Sequence, residues 1–196
     1  MRVFAALLLL SSWAQATTYK LDPAHTEIGF AVKHLMVSTV KGHFNKYDGK
    51  FNYDGAKKEL KDIDVSIDAS SVDTGQVKRD EHLQSDDFFS VKKFPKITFK
   101  SQKVDWAADG KTGKVSGLLT IRDKTKPVTL DIVNNGEVDF GGAKHLGFSA
   151  TGKINRKDFG VSWNKAMDHG GVALSDDVTI NIDGEANIDD GKTAKK

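Results

Sequence analysis

The chain has 196 residues, with 29 Lys and Arg against 27 Asp and Glu, a formal net charge of +2, six His and no Cys. Charges of both signs are interspersed, as in Lys57-Lys58-Glu59 and Arg122-Asp123-Lys124, which describes a solvated surface and excludes a nucleic-acid footprint. Without Cys there is neither a disulfide framework nor a lipidated N-terminal Cys, so a core must stabilise the fold.

The N-terminus reads as an export signal. Arg2 precedes an unbroken apolar run over residues 3–10, and Ala14-Gln15-Ala16 offers small residues at both ends of an A-x-A cleavage site. That run is too short for a membrane-spanning helix, which needs about 20 residues. The expectation is a signal peptide over residues 1–16, cleaved near Ala16, and a periplasmic, soluble domain over residues 17–196 with no stable membrane insertion. Residues 189–196, ending in Lys192, Lys195 and Lys196, are expected to be a frayed tail.

Period-two alternation then runs along the chain. Ile28, Phe30 and Val32 open it, followed by Phe51 and Tyr53, and by Ile63, Val65 and Ile67. Ile97 and Phe99, then Val115, Gly117, Leu119 and Ile121, then Val128, Leu130 and Ile132 continue it. Leu146, Phe148 and Ala150, and finally Val178, Ile180 and Ile182, complete it. Such alternation buries one face of each strand and wets the other, as antiparallel sheets do. Asp54-Gly55, Asp109-Gly110, Asn134-Asn135-Gly136 and Asp183-Gly184 are expected turns, with another hairpin at Asp123-Lys124. Many short strands at this spacing mean a barrel or a sandwich.

Two segments break the rhythm. Residues 33–39, with His34, Leu35 and Met36, lack alternation and suggest one helical turn at a strand end. In residues 70–89 the positions Val72, Gln76, Arg79, Asp80, Leu83 and Phe88 have helical spacing, with Ser71 or Asp73 as N-cap. Asp86 and Asp87 oppose the helix dipole, so the helix should stop before them. Lying across a barrel mouth, it would turn Leu83, Phe88 and Phe89 inward.

The mature aromatics are mostly Phe, and most lie on the apolar side of a strand. A barrel of about eight strands either fills its interior with such side chains or leaves room for one ligand. The pattern is silent between these outcomes. A slender apolar ligand would gain about 0.8 kcal/mol per buried CH₂.

Leu21-Asp22-Pro23-Ala24-His25-Thr26, Ile28-Gly29-Phe30 and Val32-Lys33-His34-Leu35-Met36 together resemble the opening of the YceI-like family. Gly42-His43-Phe44, Ser70-Ser71-Val72-Asp73-Thr74-Gly75, Arg79-Asp80-Glu81-His82-Leu83 and Asp87-Phe88-Phe89 extend the likeness. So do Phe94-Pro95-Lys96-Ile97-Thr98-Phe99, Gly117-Leu118-Leu119-Thr120-Ile121, Thr125-Lys126-Pro127-Val128-Thr129-Leu130, Gly147-Phe148 and the run from Ile154 to Gly160. One departure is Asp123-Lys124, where the family usually has Gly-Val; it falls in an expected turn. The resemblance implies an all-β, lipocalin-like antiparallel barrel of about eight strands with one or two short helices near a mouth. It further implies a pocket for a polyisoprenoid, an isoprenoid quinone or another long-chain amphiphile, with no cofactor of its own and no catalytic residues. On this reading Phe30, Val32, Phe44, Phe51, Phe88 and Phe89 line the pocket, together with Phe99, Leu119, Ile121, Phe148 and Trp163.

His34, Arg79 and His82 are candidate head-group contacts. Arg79, Asp80, Glu81 and His82 form the densest ionisable cluster; it reads as an ion-paired structural helix, a head-group site, or a general base at His82. The last reading makes the protein an enzyme or a quinone-linked redox partner acting on a bound lipid. Ser85 and Ser90 lack the glycine-flanked elbow of a hydrolase nucleophile. His25, His34 and His43 recur nine apart, but no two His stand at i, i+2 or i, i+4, and no metal site is expected. Gly160-Val161-Ser162-Trp163 reads as a strand start, with Trp163 at the barrel floor or stacked on a ligand ring. A monomer and a homodimer both remain open.

Overall fold

Strands with one apolar face must bury it, and here they do so by closing a ring on itself. The computed structural model describes residues 16–167 and 171–191; the expected signal sequence before Ala16 and the tail beyond Gly191 lie outside them. The strands are β1 (Thr17–Leu21), β2 (Glu27–His34), β3 (Ser38–Phe44), β4 (Tyr47–Asp54), β5 (Glu59–Asp68) and β6 (Val72–Asp73). They continue as β7 (Lys96–Trp106), β8 (Thr112–Ile121), β9 (Lys124–Phe140), β10 (Ala143–Asn155) and β11 (Leu174–Ile188). Among the described residues, one helix, α1 (Val77–Gln84), and two 3₁₀ turns, Ala69–Ser71 and Arg156–Phe159, interrupt them.

All strand pairings are antiparallel. The ring runs β1-β4-β5-β7-β8-β9-β10-β11 and closes where Tyr19, Lys20 and Leu21 pair with Ile188, Asn187 and Ala186. One edge of β11 carries both β2 and β1, at successive stretches of its length, and β3 lies on β2 as β4 lies on β1. Thus β1 with β2, and β3 with β4, act as two interrupted strands of an eight-stranded wall. The inward positions hold the core, among them Ile28, Phe44, Phe51, Ile97, Leu119, Ile121 and Leu146. A smaller cluster of Val115, Leu130, Ile132 and Ala150 adjoins it.

The expected turns at Asp54-Gly55 and Asp109-Gly110 connect adjacent strands, and the hairpin expected at Asp123-Lys124 turns one residue earlier, at Arg122-Asp123, with Lys124 already in β9. Asn134-Asn135-Gly136 does not: it lies within β9, where the register against β10 slips by one residue and forms a bulge. The turn comes later, at Gly141 and Gly142, whose φ of 62° and 82° suit the two central positions of a tight hairpin. Asp183-Gly184 likewise lies inside β11. Residues 33–39 are not a helical turn but the β2–β3 hairpin, with Leu35 and Met36 at φ of 50° and 59°.

The helix is shorter than its periodicity suggests. Its N-cap is Gln76, with no side-chain cap, while Asp73 accepts instead from the Gly75 amide at 2.7 Å. Residues 69–73 form a 3₁₀ turn and β6. The helix ends at Gln84, ahead of Asp86, so Phe88 and Phe89 are carried by the turns that follow it. Gly160 terminates the Arg156–Phe159 turn at φ 73°, and Val161 to Trp163 continue without strand pairing.

One buried cation holds that last connection. Arg156 is 5% exposed. It donates Nε to the Ser175 carbonyl at 2.9 Å and Nη1 to the carbonyls of Val161 and Trp163 at 2.8 and 2.7 Å. The Asp176 carboxylate lies 3.5 Å from Nη2. Replacing Arg156 by Ala would strand these acceptors, and hydrogen bonds to charged groups are each worth about 1.5–3 kcal/mol. Arg156→Ala is expected to lower stability by about 2–4 kcal/mol, read as a fall in the urea midpoint at unchanged slope.

Candidate functional site

The ring encloses a cavity of about 460 Å³ with an almost wholly apolar wall. Period two aims Phe30, Val32 and His34 of β2 at it, with Phe44 from β3 and Phe51 from β4. Phe99 comes from β7, Leu119 and Ile121 from β8, and Phe148 from β10. Arg79 and His82 of α1, Phe88 and Phe89 after it, and Trp163 from the β10–β11 connection also border it. All fourteen residues singled out in the sequence therefore surround one space.

Three phenylalanines owe their placement to glycine. Phe30 pairs directly with Gly42 and Phe148 with Gly184, while Phe99 lies diagonal to Gly117. A Cβ on these glycines would come within 2.6, 2.9 and 2.6 Å of the respective ring tips. Each ring thus leans over the bare backbone of a neighbouring strand instead of pointing at the barrel axis, which leaves the axis open. Ring contacts continue the lining: Phe30 to Phe44 and Phe44 to Phe89, both at 5.8 Å between centroids, and Phe51 to Phe148 at 6.1 Å.

At the α1 end, His82 stands edge-on to Phe88 and Trp163, at 5.0 and 5.1 Å, and those two rings lie 5.3 Å apart. Trp163 is therefore part of an aromatic plug beside the helix. The Arg122 guanidinium donates to the Phe88 carbonyl at 3.2 Å and the Gly160 carbonyl at 2.8 Å, tying the plug's two segments to the β8–β9 turn. Three members of the ionisable cluster are held by neighbours outside it, not by one another. Arg79 donates Nε and Nη2 to the Thr74 hydroxyl and carbonyl at 2.7 and 2.8 Å, Asp80 accepts from the Thr74 amide at 2.9 Å, and His82 Nε2 lies 2.8 Å from Asp87.

The opposite end holds lining residues outside those fourteen: Tyr53, Trp106 and Asn134. Asn134 donates to the Tyr53 hydroxyl at 2.9 Å. Nearby, the Tyr19 phenol donates to Glu137; burial first, and this carboxylate second, push the phenol's pKa up. Trp106 was hidden by a bulge between Ser101 and Lys103, which shifts the inward face of β7 from Ile97 and Phe99 to Val104 and Trp106.

Outside the cavity, Asp22, His25 and Glu185 bring potential ligand atoms within 4.8 Å of one another. Spacing could not reveal this group, since Glu185 comes from the far end of the chain. Asp22 already accepts from His25 Nδ1 at 2.9 Å, the Ala24 amide at 2.9 Å and Asn187 Nδ2 at 3.3 Å, the bonding of a turn clasp. The hydrogen bond to His25 is the main cause lowering the Asp22 pKa, and its counterpart raises that of His25.

The YceI-like domain model matches residues 19–186. The YceI protein of Escherichia coli is 36% identical over 185 residues, covering 92% of this chain and 93% of its own. A UPF0312 protein of Enterobacter is 36% identical over 183 residues, covering 91% and 92%. Among solved structures, a Campylobacter jejuni YceI protein is 42% identical with a TM-score of 0.69, over 85% of this chain and 95% of that one. Burkholderia cenocepacia BcnA, at 24% identity and a TM-score of 0.72 over 84% and 98% of the chains, shares the fold. So does a Saccharophagus degradans domain described as polyisoprenoid binding and implicated in plant cell wall breakdown, at 12% identity and a TM-score of 0.57, over 89% and 99%.

Two outcomes follow from the site's geometry. Gly184→Ala puts a methyl against the Phe148 ring and the Thr26 side chain; it should cost about 1–3 kcal/mol by overpacking, measured by urea denaturation. The Asp22–His25 clasp should also set a pH window. A raised His25 pKa means stabilisation that is complete below about 6.5 and lost as pH rises through the folded value; a lowered Asp22 pKa means stabilisation complete above about 3.9 and lost as pH falls through its folded value. NMR titration should place the His25 midpoint above about 6.5, and Asp22→Asn should bring it back down.

Proposed function

The chain belongs to the YceI-like domain family, and we propose that it is a periplasmic binding or carrier protein that holds a polyisoprenoid or similar long-chain lipid inside its barrel. The observation that carries this reading is the unfilled apolar interior of about 460 Å³, within the roughly 300–1,000 Å³ range of small-molecule sites. A cavity lined by Phe, Leu, Ile and Val offers an apolar chain contacts that water cannot match. Ten methylene equivalents would supply roughly 8 kcal/mol before the cost of association, enough to retain a lipid without any covalent step. The relative from Saccharophagus degradans carries a polyisoprenoid-binding description, and this supports the ligand class at the level of a shared fold.

In this reading Phe30, Val32, Phe44, Phe51, Phe99, Leu119, Ile121 and Phe148 contact the apolar chain. Phe88, Phe89 and Trp163 close over it beside α1. His34, Arg79 and His82 stand where a polar terminus passes the helix-side rim. The N-terminal export pattern supports a periplasmic site of action.

Native mass spectrometry and organic extraction of protein purified from its own host test the proposal. The expected result is a non-covalent lipid of one or a few masses at near-stoichiometric occupancy. Protein that repeatedly emerges empty, and that takes up neither an isoprenoid quinone nor a polyprenyl lipid, contradicts it. Leu119→Trp, which pushes an indole into the cavity, should reduce lipid occupancy at least tenfold; near-UV circular dichroism checks that the barrel is intact.

A further inference from the structure

The β2–β3 hairpin ends in a turn whose residues the fold alone does not require. Its central residues, Leu35 and Met36, have φ of 50° and 59°, and the Val37 amide donates to the His34 carbonyl at 3.2 Å. Two successive left-handed residues make a turn that suits Asn-Gly or Gly-Gly, and Gly141-Gly142 fills the corresponding place between β9 and β10. Bulky side chains hold that conformation under strain, and such strain persists where something other than local stability selects it. Burial does not offset it, because Leu35, Met36 and Val37 are 40%, 64% and 84% exposed.

This tip belongs to the helix end of the barrel. His34, the first residue of the turn, lines the cavity. The Leu35 amide donates to the Ala173 carbonyl at 2.8 Å, which sets the tip beside Val172, also 40% exposed. On its other edge β3 pairs, among the described residues, only with β6, at His43 and Phe44, so residues 38–41 carry the tip past that support. Val32 and His34 face the cavity, so Lys33 between them points outward, as does Lys41 on β3, and both are exposed. Lys165 is exposed next to them, its carbonyl accepting from the Ala173 amide at 2.9 Å. The acidic residues at the start of β11, Asp176 and Asp177, are taken up by Arg156, Lys157 and Lys153. Exposed apolar side chains flanked by lysines complement a lipid surface that is negative at its headgroups and apolar below them. The β9–β10 hairpin at the opposite end also exposes Val138 and Phe140. There Glu137 and Asp139 stand against Lys144, and an anionic surface finds no excess of cations.

We infer that the tip of Leu35, Met36 and Val37 docks reversibly on an anionic phospholipid bilayer, its side chains among the acyl chains and Lys33, Lys41 and Lys165 at the headgroups. The contact is peripheral, since one turn is far too short to span a bilayer. It holds the helix-side mouth against the membrane. Docking goes beyond the lipid-holding proposal and gives it a route: a long-chain lipid passes between bilayer and barrel beside His34 without crossing water.

Co-sedimentation with vesicles of equal parts phosphatidylcholine and phosphatidylglycerol tests this. The wild-type protein should partition onto them at least tenfold more strongly than onto pure phosphatidylcholine, and less at high salt. Leu35→Asn combined with Met36→Gly suits the turn and removes the anchor; it should lower vesicle binding at least tenfold while the urea midpoint holds or rises. The chain has no Cys, so a nitroxide on Met36→Cys reports from one place. On vesicles it should gain access to oxygen and lose access to a water-soluble nickel chelate, while one on Lys111→Cys, in the β7–β8 turn at the other end, should not change. Failure to bind anionic vesicles, binding that survives the double variant, or a nitroxide at position 36 that stays in water would overturn the inference. So would a concentration-dependent dimer that the double variant dissolves, because a second copy would then cover the tip. Vesicle binding is read whatever the barrel holds, so its failure leaves the lipid-holding proposal standing, and a barrel that takes up no lipid leaves the docking standing.

Discussion

The interior of this barrel is open because three phenylalanine rings have somewhere else to go. Phe30, Phe99 and Phe148 face inward on their strands, and an eight-stranded ring is narrow enough for such side chains to fill it. Gly42, Gly117 and Gly184 remove the Cβ that would otherwise hold each ring upright, so the rings lie on the backbone of the neighbouring strand. The same bulky residues then serve as wall instead of filling. Loss of one glycine would not merely strain a strand; it would redirect a ring into the space that makes the protein useful.

That arrangement works only while the ring of strands stays closed. The three-residue pairing of β1 with β11 joins the first and last strands, so the barrel presents no unpaired edge along that seam. The helix end is held differently, by cations on carbonyls. Arg156 gathers the β10–β11 connection and Arg122 fastens Phe88 and Gly160 to the β8–β9 turn. These contacts position the aromatic plug of His82, Phe88 and Trp163. The side chains that shape the cavity are apolar, and the polar ones next to them are largely engaged in holding loops.

The inward faces were legible from sequence because period two has no close competitor in this chain: Phe30 and Val32, or Leu119 and Ile121, lead to one side of a strand whatever their partners. The family resemblance then chose a barrel over a sandwich. Local punctuation was less readable, because one residue type answers several steric demands. Asn135-Gly136 sits at a bulge and Gly184 makes room for Phe148, yet both look like turns. Leu35 and Met36 make a tight turn with residues that rarely adopt positive φ, and no rule of composition signals that. Trp106 was lost for a different reason. A single extra residue at Gln102 inverts the face of everything after it, and only the partner strand reveals the slip.

Whether the interior is hollow and apolar decides the account, and xenon reads that property directly, since it enters dry apolar cavities. Diffraction from crystals under xenon pressure should place xenon on the barrel axis among Phe99, Leu119 and Phe148, or, if a lipid co-purifies, only after its extraction. An extracted protein whose barrel admits no xenon, with the phenylalanine rings filling the axis, would contradict it.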